Sequence, residues 1–389
     1  RFRSTLHAKD KVIRPRNIHK SVVNGLILSG ATPIFVNPFI DEELGVACQR
    51  RRDDLIKARD ENKDAKAVFI INPTYFGVTS DLKKIVEEAH NRNRIVRCDE
   101  AHGSNFYFSS KLPVSARQAG ADITARSRHK NSGSLTQTSL LLVKGKRIDR
   151  LEVKRAFARF SSTSPYHPLM ASLDAARKER ALHGKEILDR CLELSKYARE
   201  HLNKIPGIHV YDKDYIKKWN TTGVFDIDLT KLVIDVRGLG RFGYDVYKEI
   251  RKESNIQLEL GEVSVVLAIV GPGTTKEHID RLIQAFERLS KEHYKEGKKL
   301  SVLRYRYTYP IRRRIPRTAY DDPYKILPLK DAVGEISEET IRAYPPGIPI
   351  ILPGEEISKD TITRINFYRR EKGQILKDTK EGCIKVVVR

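Results

Sequence analysis

The sequence predicts an α/β protein: a large domain built on a mainly parallel sheet, a small α+β domain and a C-terminal module. Three observations carry that expectation. The first 145 residues alternate short apolar segments with amphipathic ones, as strands covered on both faces by helices do. Further on, two strand-like segments, Ile256 to Leu260 and Val263 to Ile269, are separated only by Gly261-Glu262, which calls for an antiparallel hairpin. Beyond residue 296 the chain turns basic and proline-bearing before a last segment from about Ile326. The expected divisions are 1–185 for the large domain, 186–295 for the small domain, 296–325 for a basic linker and 326–389 for the C-terminal module.

Taken in order, Ser21 caps a helix that runs to Leu28 and stops at Gly30, and Pro33 to Val36 reads as a strand. A charged helix around Asp53 to Asp60 leads to the apolar strand Ala67 to Ile71, which ends at Asn72-Pro73. Ser80 or Asp81 caps a helix with Leu82, Ile85, Val86 and Ala89 on one face. The strand Ile95 to Cys98 ends in Asp99-Glu100-Ala101-His102-Gly103. The strand Asp122 to Ala125 leads through Ser127-Arg128-His129-Lys130 into the Gly/Ser-rich loop Asn131-Ser132-Gly133-Ser134. Leu151 to about Leu194 is helical, with a break at Ser161 to Pro165. Lys231 to Val236 is a strand, Tyr244 to Lys252 a helix, and Lys276 to Leu289 a helix.

Composition narrows the function classes. No apolar run approaches the length of a membrane span, so no membrane partner is expected. Four dispersed cysteines, Cys48, Cys98, Cys191 and Cys383, show no metal spacing and no disulfide framework, which points to a reducing cytoplasm and no metal site. Lysine and arginine number 73 against 50 acids, a net charge of +23 that attracts polyanions. Arg304-Tyr305-Arg306-Tyr307 and Arg312-Arg313-Arg314 concentrate part of it, but a solvated basic surface explains these tracts better than nucleic-acid binding does.

Ligands of a parallel sheet gather at the carboxyl ends of its strands, where Asn72, Asp99 and Lys130 fall. A lysine held at a strand end can form an imine with an aldehyde cofactor. An aspartate on a neighbouring strand end can pair with a pyridinium nitrogen, so the two together suit pyridoxal phosphate. Gly238-Leu239-Gly240-Arg241-Phe242-Gly243 matches a dinucleotide-binding fingerprint, but the following helix is short and the hairpin at Gly261 breaks the parallel geometry that motif needs. It is read as a glycine-rich helix entry.

Five motifs in order then identify a resemblance: Asn17-Ile18-His19-Lys20-Ser21, Asn72-Pro73-Thr74-Tyr75-Phe76-Gly77-Val78, Asp99 to Gly103, Ser127 to Lys130, and Tyr344-Pro345-Pro346-Gly347-Ile348-Pro349. Together they resemble the Orn/Lys/Arg decarboxylase family of fold type I pyridoxal phosphate enzymes, most closely its shorter bacterial biosynthetic arginine decarboxylases. The resemblance implies a large cofactor-binding domain, a small domain, a C-terminal module and a homodimer or higher homo-oligomer. It implies that Lys130 holds the cofactor, Asp99 pairs with its ring nitrogen, His19 stacks on the ring and Ala101 lies against the other face. Ser127 and His129 would contact the phosphate, with Thr74 and His102 close to the substrate. The expected reaction converts L-arginine to agmatine and carbon dioxide, with lysine or ornithine as alternative substrates. A second expectation, from a different class, is a catalytically inactive remnant of the same fold acting as a basic binding or oligomerisation protein.

The family also carries about ninety residues ahead of the position of His7, including a phosphate-binding loop. That part of the large domain is expected to be missing here, with Arg3-Ser4-Thr5 as its remnant. Arg128 stands where the family has a small residue, and is expected either to add a phosphate contact or to crowd the site. Glu355 of the Pro-Gly-Glu turn is a candidate acid for the far end of a basic substrate.

Overall fold

The structure, a computed structural model, describes residues 5–41, 48, 52–219, 223–301, 308–344, 347–370 and 373–388. Its large domain contains β1 (Lys11–Pro15), α1 (Lys20–Ser29), β2 (Thr32–Val36), α2 (Arg52–Glu61), β3 (Ala67–Ile71), β4 (Val78–Thr79), α3 (Leu82–His90), β5 (Ile95–Asp99), α4 (Ala116–Ala119), β6 (Ile123–Ser127), α5 (Arg128–Asn131), β7 (Ser139–Val143) and α6 (Arg150–Phe160). Six of these strands form one sheet in the order β2-β1-β3-β5-β6-β7. All neighbours are parallel except β6 and β7, so the sheet is mainly parallel with one antiparallel edge. Val12, Phe69, Val22 and Leu26 pack on one face, and Val68, Ile70, Ile85, Val86 and Val96 on the other. This two-sided burial is why the strands read as continuous apolar runs.

β1 escapes sequence reading because its Lys11-Val-Ile-Arg-Pro run ends in a charge and a proline. It is nonetheless central: Arg14 is fully buried, its guanidinium 5.2 Å from the Phe69 ring centre and 5.7 Å from that of Phe35. The cap of α1 is His19, not Ser21, because the extended backbone of His19 lets its Nδ1 accept from the Ser21 N–H. Gly30 ends that helix at φ +70°, as expected. At α3 the cap is Asp81, which accepts from Lys84 N, while Ser80 N donates to Asn72 Oδ1.

α7 (His167–Leu202) follows the predicted break and runs unbroken through residues 185 and 186, where a domain division was expected. Its C-terminal half joins the core of the small domain, made of β8 (His209–Val210), α8 (Asp214–Trp219), β9 (Asp226–Ile227), β10 (Lys231–Asp235), α9 (Gly243–Ser254), β11 (Leu260–Gly261), β12 (Val265–Ile269) and α10 (Lys276–His293). β9 pairs with β4 of the large domain, which ties the small domain to the rim of the sheet.

The hairpin is antiparallel, but Leu260 pairs with Leu267 and Gly261 with Val266. The turn therefore lies at Glu262 to Ser264 instead of Gly261-Glu262. Gly261 serves close packing: a Cβ there would lie 2.5 Å from Gly243 O. Gly243 is equally confined, since its Cβ would lie 2.2 Å from the carbonyl oxygens of Glu262 and Val265. The glycines of the 238–243 run thus let α9 approach the hairpin. β10 is antiparallel to both neighbours, and Arg241 is engaged by Glu249 and His293.

The expected linker contributes α11 (Pro316–Asp321), which packs on α1, with Arg317 donating to Ile27 O at 2.8 Å. Arg304 to Tyr307 lie outside the described residues. The backbone of Arg312 pairs antiparallel with that of Glu355, Arg313 donates to Glu356 at 2.6 Å, and Arg314 pairs with Asp322, so two of these three arginine side chains are engaged in ion pairs within the fold. The C-terminal module comprises β13 (Tyr324–Pro328), β14 (Ile341–Tyr344), β15 (Ile348–Ile351), α12 (Lys359–Arg370), β16 (Gln374–Leu376) and β17 (Cys383–Val387), closed over Ile341, Ile350, Ile365 and Ile384. Among the described residues, no helix is long and apolar enough to cross a membrane.

Candidate active site

The carboxyl ends of β3, β5 and β6 converge through backbone bonds that continue past the strands. Asn72 N donates to Asp99 O at 2.9 Å, and Glu100 N to Ala125 O at 2.9 Å. β6 passes directly into the single turn of α5, so Lys130 stands on a helical turn between the strand and the Gly/Ser-rich loop. Side-chain amides hold that turn against the segment after β5. Asn131 Nδ2 donates to His102 O and Asn105 Nδ2 to Asn131 O, while Ser132 Oγ donates to Asn105 Oδ1. Successive residues then face opposite ways. Asp99 is turned to the open side, where its Oδ1 accepts from Ala101 N at 3.2 Å. Glu100 is fully buried beneath, paired with Arg126 and accepting from Ala116 N at 2.5 Å.

These ends surround a cavity of about 560 Å³. All eight residues singled out from the sequence line it: His19, Thr74, Asp99, Ala101, His102, Ser127, His129 and Lys130. Asn17, Tyr75, Arg126 and Ser139 line it as well, and Gly347 and Ile348 of the C-terminal module close one side. Tyr344 to Pro346 of the same motif add no described side chain to the cavity.

Lys130 Nζ lies 2.9 Å from His102 Nε2 and 5.8 Å from the Tyr75 ring centre. Burial lowers its pKa from the ordinary lysine value, against the opposing pull of Asp99 and Glu259. His102 is held well below the usual imidazole range, chiefly by burial and then by Lys231 and Lys130, and is neutral. His129 donates from Nδ1 to Thr138 O at 2.7 Å, which orients its ring and leaves Nε2 available to a ligand. Thr74 closes its own turn by accepting from Val78 N through Oγ1 at 3.2 Å.

The arrangement fits pyridoxal phosphate. An amine at the cavity wall can take an aldehyde, and a carboxylate at the neighbouring strand end can face a ring cation. A hydroxyl and an imidazole beside Arg126, whose buried Nη2 has no hydrogen-bond partner among the described residues, can meet an anion.

Arg128 neither adds a phosphate contact nor crowds the cavity. It is buried on the far side of α5, donating to Ser104 O at 3.2 Å and Ala176 O at 3.3 Å. Glu355 lies away from the cavity, buried against Arg16. Of the Arg3-Ser4-Thr5 segment, only Thr5 is described, and it borders a separate groove with His7 and Lys66.

Sequence reading missed four residues here. Tyr75 lies inside a quoted motif and Arg126 just before another, neither with a role assigned to it. Lys231 and Glu259 come from the small domain: Lys231 Nζ lies 3.2 Å from His102 Nδ1, and Glu259 accepts from the Tyr75 hydroxyl at 2.5 Å. No local signal marks either one.

Residues 2–277 match the model of the Orn/Lys/Arg decarboxylase major domain, and residues 314–374 that of the Orn/Lys/Arg decarboxylase C-terminal domain. An arginine decarboxylase of Bacillus subtilis (strain 168) is 40% identical over 381 residues, covering 97% of this chain and 76% of the relative. The Francisella novicida lysine decarboxylase LdcF superposes with a TM-score of 0.81 at 20% identity, over 99% of this chain and 67% of that one. The ureidoglycine-glyoxylate aminotransferase of Bacillus subtilis shares the fold at a TM-score of 0.58 and 14% identity, over 76% of this chain and 78% of that one. Motifs, strand-end geometry and these matches agree, and the chain belongs to the Orn/Lys/Arg decarboxylase family.

Proposed function

We propose that this decarboxylase uses pyridoxal phosphate to convert L-arginine to agmatine and carbon dioxide. The observation that carries the reading is the meeting of the Lys130 amine and the Asp99 carboxylate in one cavity, in a chain 40% identical to an arginine decarboxylase. When bound, pyridoxal phosphate supplies an aldehyde for amines to add to and a ring that accepts the electron pair left by departing carbon dioxide.

The chain's own residues do the rest. Lys130 offers its Nζ as the amine that captures the aldehyde, and afterwards holds a proton at that atom for return to the substrate's α-carbon. Asp99, fixed by the Ala101 N–H, keeps the ring nitrogen protonated. His19, braced by Ser21, covers one ring face and Ala101 leaves room at the other. Ser127, His129 and Arg126 hold the phosphate. Glu259, at the Tyr75 hydroxyl, adds negative charge that favours a cationic substrate.

The reading includes a homodimer in the cytoplasm. The exposed Phe157 and Phe160 of α6 offer apolar surface for association, and none of the four described cysteines is in a disulfide, in keeping with a reducing compartment.

Replacing Lys130 with alanine is expected to abolish both the absorbance near about 420 nm that forms on adding pyridoxal phosphate and the release of carbon dioxide from arginine. Assays on arginine, lysine and ornithine in parallel test the substrate. Retained carbon dioxide release by Lys130→Ala overturns the assignment, and faster turnover of lysine or ornithine overturns the choice of arginine.

A further inference from the structure

His102 is gripped from both sides by lysine amines. Its Nε2 lies 2.9 Å from Lys130 Nζ and its Nδ1 lies 3.2 Å from Lys231 Nζ. His102 and Lys231 are both buried, so water does not mediate between them. A neutral imidazole has one N–H and one lone pair. It therefore cannot accept from two ammonium groups at once: one lysine donates to the ring, and the other accepts from it as a free amine.

The surroundings decide which lysine is which. Lys231 Nζ has a second acceptor, the Tyr75 carbonyl at 2.7 Å, and lies 5.6 Å from the Tyr75 ring centre. Asp228 and Glu259 add negative charge beside it, although burial first and Lys130 after it bring its pKa down to about 8 against that pull. Lys130 has no hydrogen-bond partner but His102 among the described residues, and it opens onto the cavity where an aldehyde must reach it. Asp99 and Glu259 favour a charge on Lys130, while His19 and His129 join the two lysines in keeping His102 neutral.

We infer that Lys231 is a positioning residue: by donating to His102 Nδ1 it fixes the imidazole proton on Nε2, aimed at the Lys130 lone pair, and so holds Lys130 as the neutral nucleophilic amine. The small domain thereby reaches into the site of the large one and prepares its lysine. Gly77, at φ +90°, makes room for that reach, since a Cβ there would lie 3.0 Å from Lys231 Cδ.

The inference rests on the reading of Lys130 as the cofactor-binding amine, and its test does not depend on turnover. The full chain, before pyridoxal phosphate is added, is pulse-labelled with acetic anhydride over a series of pH values, and acetylation of Lys130 is quantified by peptide mass spectrometry. Lys231→Met is expected to raise the labelling midpoint by about one pH unit, a roughly tenfold loss of reactive amine at neutral pH. Lys231→Arg, which still donates to Nδ1, is expected to keep the wild-type midpoint. His102→Phe is expected to raise it as Lys231→Met does, and adding Lys231→Met to His102→Phe to move it clearly less than in the wild type.

An unchanged midpoint in either Lys231→Met or His102→Phe overturns the inference. So does an equal shift by Lys231→Met in the His102→Phe background, because the effect is then direct charge repulsion. Should Lys231→Met fail to fold, His102→Phe and Lys231→Arg decide alone. Borohydride reduction with pyridoxal phosphate maps the cofactor lysine separately: an adduct elsewhere overturns the proposed function and leaves the midpoint series to be judged on its own.

Discussion

Arg16 and Glu355 form a two-pronged ion pair sealed from solvent, each side chain 1% exposed, with Arg16 Nη2 2.6 Å from Glu355 Oε2. Glu355 Oε2 also accepts from Leu352 N, which anchors the Pro-Gly-Glu turn of the C-terminal module. Arg16 directly precedes Asn17, Ile18 and His19, all of which line the cavity. The module therefore braces one wall of the site through a buried charge pair.

Glu355→Gln is expected to strand the Arg16 guanidinium without its anion. Breaking one side of a buried pair destabilises by about 3–5 kcal/mol. Thermal unfolding should show the loss, and the affinity for pyridoxal phosphate should weaken as the His19 wall loosens. An unaltered melting temperature would contradict this account of the pair.

Arg128→Ala should separate stability from cofactor binding. Arg128 donates to two backbone carbonyls and stacks 5.6 Å from the Phe108 ring centre, and burial lowers its pKa to about 10. Removing it should cost on the order of 2–3 kcal/mol of stability. Titration with pyridoxal phosphate should give the wild-type affinity; a marked weakening would place Arg128 in the phosphate site after all.

Glu100 should make stability fall with rising pH. Burial pushes its pKa up to about 7, although Arg126 and the Ala116 N–H pull the other way. An unfolded glutamate titrates near about 4.3. Between these values the folded state binds more protons than the unfolded one, so this residue's contribution is greatest at low pH and declines as pH rises through the window. The decline is at most about 3–4 kcal/mol. Denaturant unfolding from about pH 4 to pH 8 should show a flatter profile for Glu100→Gln than for wild type; parallel profiles would refute the assignment.

Much of the large domain was legible because its evidence is local. The apolar runs at Ala67 to Ile71 and Ile95 to Cys98 mark buried strands, and the face of Leu82, Ile85, Val86 and Ala89 marks a helix packed on them. Chain order then places Asp99 and Lys130 at neighbouring strand ends, since parallel strands put their carboxyl ends together. What was misread has equally local causes. The Gly261-Glu262 pair looks like a turn, but glycine there meets the need of α9 for close approach. Ser21 looks like a cap, but the helix starts one residue before it, where the extended His19 accepts from the Ser21 N–H.

The sequence by itself determined the strand-and-helix alternation, the lysine and aspartate at the strand ends, and the family, because hydrophobic period and short motifs act over a few residues. Only the tertiary structure decided that β1 lies inside the sheet, that Arg128 turns away from the cavity, that Glu355 clasps Arg16, and that Lys231 reaches His102 from another domain. The last three are partnerships between buried polar groups far apart in the chain. Burial makes charges and donors seek partners, but which partner each one finds depends on how the segments pack.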